Sequence, residues 1–190
     1  ILVTLGFPKE EIITIPVGTD GSLFARIQPV KENEILKIVF IGRLIELKGP
    51  QFIHDIARKM LELKFSNFEF WIIGEGDLRN EIVKKTKGLE DNIKILGYKT
   101  PIEIRNIVED CHILIYPGIA DKEGREETQG LIIQEAMFMQ LPVIVSKIGG
   151  VPEAVIDGET GFVCNPGDII EFANKTVLLC ENADLRKSMG

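Results

Sequence analysis

Glu127 and Glu135 stand eight positions apart in the stretch ETQGLIIQE, which opens an apolar segment running through AMFMQ to Leu141-Pro142. If the stretch is helical throughout, a rise of about 1.5 Å per residue sets the two side chains roughly 12 Å apart along the axis, on neighbouring faces. A general acid and base flanking one glycosidic bond need about 5 to 9.5 Å. That spacing argues against sugar hydrolysis and for two carboxylates that hold opposite ends of one long ligand. Between them the helix terminus, from Thr128 through Gly130 to Leu131, offers backbone N–H groups and a positive dipole end to anionic groups. A nucleoside diphosphate sugar has that layout: hydroxyls, phosphates, hydroxyls.

A second chemical segment is Gly42-Arg43-Leu44-Ile45-Glu46-Leu47-Lys48-Gly49. It follows the first expected strand, at the carboxyl edge where open α/β sheets bind ligands. Arg43 brings a planar fork suited to phosphate oxygens, and Lys48 a second positive charge at the start of the next helix. Two such cations can neutralise a pyrophosphate without a metal; the alternative is a basic pair that is merely solvated. The segment is not a Walker loop, because Lys48 precedes Gly49 and no Ser or Thr follows. Gly74-Glu75-Gly76-Asp77-Leu78-Arg79 is not a dinucleotide fingerprint either, since Arg79 stands where the third glycine belongs. Its glycines allow a tight strand-to-helix turn, structural or close to a nucleotide. Asp121-Lys122-Glu123 reads as a solvated loop rather than a metal-binding motif, and His54 and His112 carry no partner signature.

The elements that must position these groups alternate along the chain. Candidate strands are 37–41, 68–73, 93–96, 113–116, 143–146 and 162–164. Candidate helices are 49–63, 78–87, 101–109, 130–140, 151–156 and 169–180. Short apolar runs between helix-period segments indicate an α/β fold, a Rossmann-like doubly wound parallel sheet covered on both faces. Asp168 is expected to cap the last helix, with Glu171 in capping-box position. Trp71 and the phenylalanines are read as core. Residues 1–30 differ: a Gly-Phe-Pro turn, a short apolar strand at 12–17 and the turn cluster Gly18-Thr19-Asp20-Gly21 form a segment separate from the domain at 31–190.

Composition is that of a globular domain, with 45% hydrophobic and 27% charged residues in 190. A net charge of -7 excludes a general nucleic-acid surface. Cys111, Cys164 and Cys180 lack metal-ligand spacing and form no even disulfide set, so buried thiols in a reducing, cytoplasmic compartment are expected.

Five segments together carry a family resemblance: IPVGTD (Ile15 to Asp20), VFIGRLIELKG (Val39 to Gly49), FWIIGEGDLR (Phe70 to Arg79), Glu127-x7-Glu135 followed by Ala136-Met137, and LPVIVSKIGGVPEAVIDGETGFV (Leu141 to Val163). In this order they resemble the donor-binding half of a retaining GT-B glycosyltransferase, in particular glycosyltransferase family 4. The resemblance implies a metal-independent transfer, without cofactor, of a hexose from a UDP- or GDP-linked sugar to a hydroxyl acceptor. Surface polysaccharide, lipopolysaccharide or glycolipid synthesis at the inner face of the membrane is the implied setting. It implies catalytic roles for Glu127, Arg43 and Lys48. It places the donor against Gly42, Arg43, Lys48, Gly74, Tyr98, Lys99, Glu127, Gly130, Leu131 and Glu135, with Glu127 at hexose hydroxyls, Glu135 at ribose hydroxyls, and the backbone of Gly97-Tyr98-Lys99 at the nucleobase. Glu153 is expected to serve the fold or the site rather than proton transfer.

Two departures bear on sugar choice. The loop carrying DKEGRE is longer and more charged than the family's, and Gln129 stands where a bulky apolar residue is usual. The chain opens at Ile1 without a start Met, which fits a C-terminal half whose sugar- or lipid-linked acceptor, and any peripheral membrane contact, belong to a preceding domain. Such a half is expected to bind donor and transfer nothing alone. Rival readings are a nucleotide-sugar epimerase, a phosphorylase, and a non-catalytic nucleotide-sugar sensing module.

Overall fold

Short runs of Ile, Val, Leu and Phe favour buried strands, because β-branched and aromatic side chains fit a pleated surface covered on both sides. In the computed structural model, which describes residues 3–13, 15, 17–27 and 35–190, six such runs form strands. They are β1 (Leu36–Ile41), β2 (Phe68–Ile73), β3 (Ile93–Gly97), β4 (Ile113–Tyr116), β5 (Val143–Ser146) and β6 (Gly161–Cys164). All pair in parallel, in the order β3-β2-β1-β4-β5-β6. The sequence expectation agrees with each strand to within one residue at either end. The order reverses between β1 and β4, where Ile38 pairs with Ile113 and Val39 with Leu114.

The helices are α1 (Gly21–Phe24), α2 (Ile53–Glu62), α3 (Arg79–Lys85), α4 (Pro101–Val108), α5 (Leu131–Phe138), α6 (Ile169–Glu181) and α7 (Ala183–Met189). Alternate strand residues face opposite layers. Ile38, Phe40, Phe70, Ile113 and Ile144 pack with α2, α6 and α7 on one face, and Val39, Ile41, Leu114, Val143 and Val145 with α4 and α5 on the other. Each fully buried side chain of this size contributes about 1.5–3 kcal/mol relative to exposure. Cys111, Cys164 and Cys180 are free and buried.

Several expectations need correction. The helix expected at 49–63 starts with a separate 3-10 turn, Pro50–Phe52, because left-handed Gly49 precedes it. Lys48 closes an earlier turn, Glu46–Lys48, rather than starting that helix. The segment expected helical at 151–156 is only a 3-10 turn, Val151–Ala154. Asp168 does cap α6 by accepting from Glu171 N–H at 2.9 Å, but the Glu171 carboxylate accepts from Asn165 N–H at 2.7 Å, so the box does not close on Asp168. Helix α7 was not expected; Asn182 caps it through Leu185 N–H. Trp71 is only partly buried, with Lys37 Nζ over its ring at 4.3 Å, and Phe7 and Phe138 are exposed.

Of the strand expected at 12–17, Ile12, Ile13, Ile15 and Val17 are not in a strand, while Thr14 and Pro16 lie outside the described residues, as does the boundary expected at 30/31. The segment before β1 is fastened by Arg26. Its guanidinium donates to the carbonyls of Met139 at 2.6 Å and of Glu109, Val108 and Cys111 at 3.2 Å, at the C-terminal ends of α5 and α4. A cation there meets both unsatisfied carbonyls and the negative helix ends.

The loops after β1 and β4 touch through Gly49, whose φ of 76° is left-handed. A Cβ there would overlap the Pro117 carbonyl, and Ile119 N–H donates to Leu47 O at 3.1 Å beside it. Gly49→Ala should therefore cost about 2 kcal/mol or more, read as a lower urea midpoint at unchanged m-value.

Candidate functional site

The strand-order reversal leaves a crevice at the carboxyl ends of β1 and β4, the position where such sheets bind ligands. Arg43, Glu46 and Lys48 from the β1 loop, Asp77 from the β2 loop, and Asp121, Arg125, Glu127 and Thr128 from the β4 loop line a cleft of about 650 Å³ there. The structure thus brings Arg43, Lys48 and Glu127 together. Arg43 is exposed. Lys48 and Glu127 are 16% and 15% exposed at their side chains and form an ion pair, Nζ to Oε2 at 2.6 Å.

Tyr116, the last residue of β4, completes this pair. Its hydroxyl donates to Glu127 Oε2 at 2.7 Å and accepts from Lys48 Nζ at 3.0 Å. Its ring is fully buried and stacks near Phe40, with centroids 6.4 Å apart. Burial, reinforced by the bond to Glu127, pushes the phenol well above its ordinary value, so it stays a neutral donor. For Glu127, burial pushes the carboxyl up, but the bonds from Lys48 and Tyr116 outweigh it and hold it below the usual carboxylate range. Sequence reasoning missed Tyr116, reading it only as a strand end. The usable signal was a polar-tipped aromatic at the carboxyl edge of a central strand.

Glu127 is not on a helix. Gly130 has φ 70° and ψ 67°, so α5 begins only at Leu131 and the expected helical spacing between the two carboxylates does not hold. Gly130 is buried and gives α5 no side-chain cap. Glu135 lies on α5, outside the lining of that cleft, beside a small apolar pocket lined by Phe24, Ile41, Ile104 and Ile132. Burial raises its pKa, only partly offset by a hydrogen bond with the Thr19 side chain.

Gly42, Gly74 and Gly97 stand side by side at the sheet edge. Gly42 N–H donates to Ile73 O at 3.0 Å and Gly74 N–H to Gly97 O at 2.9 Å, so these groups tie the loops together. Tyr98 follows, 71% exposed, with Lys99 partly buried beside it. Gln129 is turned to the segment before β1: it accepts from Val17 N–H at 2.9 Å and donates to Val17 O at 2.6 Å. The charged loop is ordered by Asp121, whose carboxylate accepts from Glu123 N–H, Arg125 N–H and the Arg125 guanidinium. His112 is buried and its Nδ1 accepts from Lys37 N–H at 3.1 Å, while His54 Nδ1 meets Asp55 at 3.0 Å. Glu153 is exposed.

The family model described as glycosyl transferases group 1 matches residues 36–182. The chain belongs to this family. Among curated members, it is similar to the amylovoran biosynthesis glycosyltransferase AmsK of Erwinia amylovora, 29% identical over 88% of this chain and 41% of that protein. It is 31% identical to the uncharacterized glycosyltransferase MJ1178 of Methanocaldococcus jannaschii, over 80% of this chain and 40% of that one. The chain spans about two fifths of the length of these group 1 relatives. In fold it is similar to Anabaena Alr3699/HepE, solved in complex with UDP, at TM-score 0.81 and 22% identity over 98% of this chain and 52% of that one. The C-terminal domain of the group 1 protein LpcC from Francisella tularensis matches at TM-score 0.73 and 25% identity, over 90% of this chain and 92% of that one. The fold is thus the Rossmann-like half of a GT-B glycosyltransferase. No helix among the described residues is long and apolar enough to cross a membrane.

The two glutamates carry opposite stability signs. The lowered pKa of Glu127 contributes stability above its unfolded value, lost as pH falls through the folded value. The raised pKa of Glu135 costs stability above its folded value, and that cost disappears in acid. At neutral pH Glu127→Gln should lower the melting temperature by about 2 to 4 °C for each kcal/mol lost, and Glu135→Gln should raise it. Both differences should shrink as the solution is acidified, as followed by thermal melts across pH.

Proposed function

We propose that this chain is the donor-binding half of a retaining, metal-independent glycosyltransferase that moves a hexose from a nucleoside diphosphate to a hydroxyl acceptor. The observation that carries the reading is the placing of Arg43, Lys48 and Glu127 in one cleft at the strand-order reversal, within the segment that matches the family. Arg43 and Lys48 would take the diphosphate oxygens, with the N-terminus of α5 beside them. Their work is positioning and stabilising negative charge as it grows on the leaving diphosphate. Glu127 would accept hexose hydroxyls, and Glu135, beside Thr19, two vicinal ribose hydroxyls. The β3 edge at Gly97-Tyr98-Lys99 would meet the nucleobase.

Retention would follow from same-face attack, with the donor phosphate accepting the acceptor's proton; no side chain of the cleft is needed as base. The near-complete match to a C-terminal domain from this family supports assigning the acceptor site to another domain. That other domain would also carry any contact with the inner face of a cytoplasmic membrane. Relatives named for amylovoran and colanic acid biosynthesis favour a surface-polysaccharide acceptor, and the HepE complex with UDP favours a nucleoside diphosphate carrier.

Calorimetric titration with UDP, GDP, ADP and NAD tests the reading. One nucleoside diphosphate should bind in preference, weakened about tenfold or more by Arg43→Ala. Glu135→Ala should weaken the ribonucleotide much more than its 2′-deoxy analogue. Binding of NAD alone, or no binding at millimolar ligand, would defeat the reading.

A further inference from the structure

One oxygen of Glu127 joins the Lys48 and Tyr116 side chains at the cleft. Oε2 accepts from Lys48 at 2.6 Å and from Tyr116 at 2.7 Å, and the two donors are themselves bonded at 3.0 Å. The other oxygen, Oε1, makes no side-chain hydrogen bond among the described residues. On the reading above, Lys48 has two anionic partners to serve: Glu127, which it holds in the structure, and the donor diphosphate. A flexible four-carbon stem lets the ammonium turn from one to the other. As it turns, a carboxylate with 15% of its side chain exposed loses its counter-charge and one of its hydrogen bonds.

Tyr116 cannot turn in the same way. Its ring is enclosed at the end of β4, on a central strand between β1 and β5, and lies against Phe40. Its hydroxyl is therefore fixed by the sheet rather than by a loop. We propose that Tyr116 is a positioning residue for the donor sugar: its hydroxyl keeps Glu127 in place when Lys48 engages the diphosphate, leaving Oε1 to accept a sugar hydroxyl. The inference rests on the donor-site reading and adds a residue to it that acts through Glu127.

The test is the ratio of two dissociation constants, for the free nucleoside diphosphate and for its sugar conjugate. The probes are UDP with UDP-glucose and UDP-N-acetylglucosamine, and GDP with GDP-mannose. That ratio isolates the sugar's contribution. Tyr116→Phe keeps the ring and its packing and should lower the ratio about tenfold, as expected for loss of a hydrogen bond to a charged group. Damage to packing alone would weaken both ligands together and leave the ratio unchanged, which would overturn the proposal. Tyr116→Phe in a Glu127→Gln background should lower the ratio no further, because Tyr116 acts through that carboxylate; an additive loss would overturn it too. A wild-type ratio near one, with diphosphate bound, would also overturn it. Failure of the wild type to bind any diphosphate would instead defeat the donor-site reading beneath it.

Discussion

A largely buried ammonium and a largely buried carboxylate face each other where the strand order reverses, and the bonds from Lys48 and Tyr116 hold the Glu127 carboxyl below the usual carboxylate range. Lys48 leaves from β1 and Glu127 follows β4, so the pair exists only because the sheet sets those two strands side by side. Much of the local architecture serves that approach. Left-handed Gly49 brings the β1 loop against the Pro117 carbonyl, and the Ile119-to-Leu47 bond seals the two loops together. Tyr116 reaches the pair from within the core and satisfies both charges with a neutral group. A chain of net charge -7 thereby keeps its cationic pair local, at one point of the sheet edge.

The strands were legible because a doubly covered parallel sheet needs near-continuous apolar runs, and such runs as FEFWII and VIVS stand out at either end. The cations of the β1 loop were legible for the same reason, since they begin where the run stops. The placement of Glu127 was not. Its apolar neighbours at Leu131, Ile132 and Ile133 have helical spacing, but a backbone at φ 70° on Gly130 ends the helix before it can include the carboxylate. Periodicity does not register a single glycine's hand. The contacts of Tyr116, Gln129 and Arg26 were invisible for another reason: their partners lie 11 to 113 residues away in sequence. Helix α7 was missed because its seven residues span fewer than two turns of a pattern.

The segment before β1 meets the domain at both ends of α5. Gln129, just before the helix, grips Val17, and Thr19 lies beside Glu135 in its middle. Arg26 draws the α4 and α5 termini together at the other end. The exposed Ile13 and Ile15 lie just before these anchors. Any displacement of residues 17–27 is therefore felt by the helix that carries Glu135.

The strand order has a kinetic corollary. β1 and β2 can pair after a modest loop closes, but Ile38 must find Ile113 and Lys48 must find Glu127 across 79 positions of chain. Closing loops of that length is entropically costly and slow compared with local helix formation. The cleft is thus complete only once β4 has joined β1. A partly folded chain with β1 to β3 in place holds Lys48 but neither Tyr116 nor Glu127, and so lacks the hydrogen-bonded cluster at the cleft. On the donor-site reading such a molecule would lack the carboxylate side of the site, and ligand capture would report completion of the sheet.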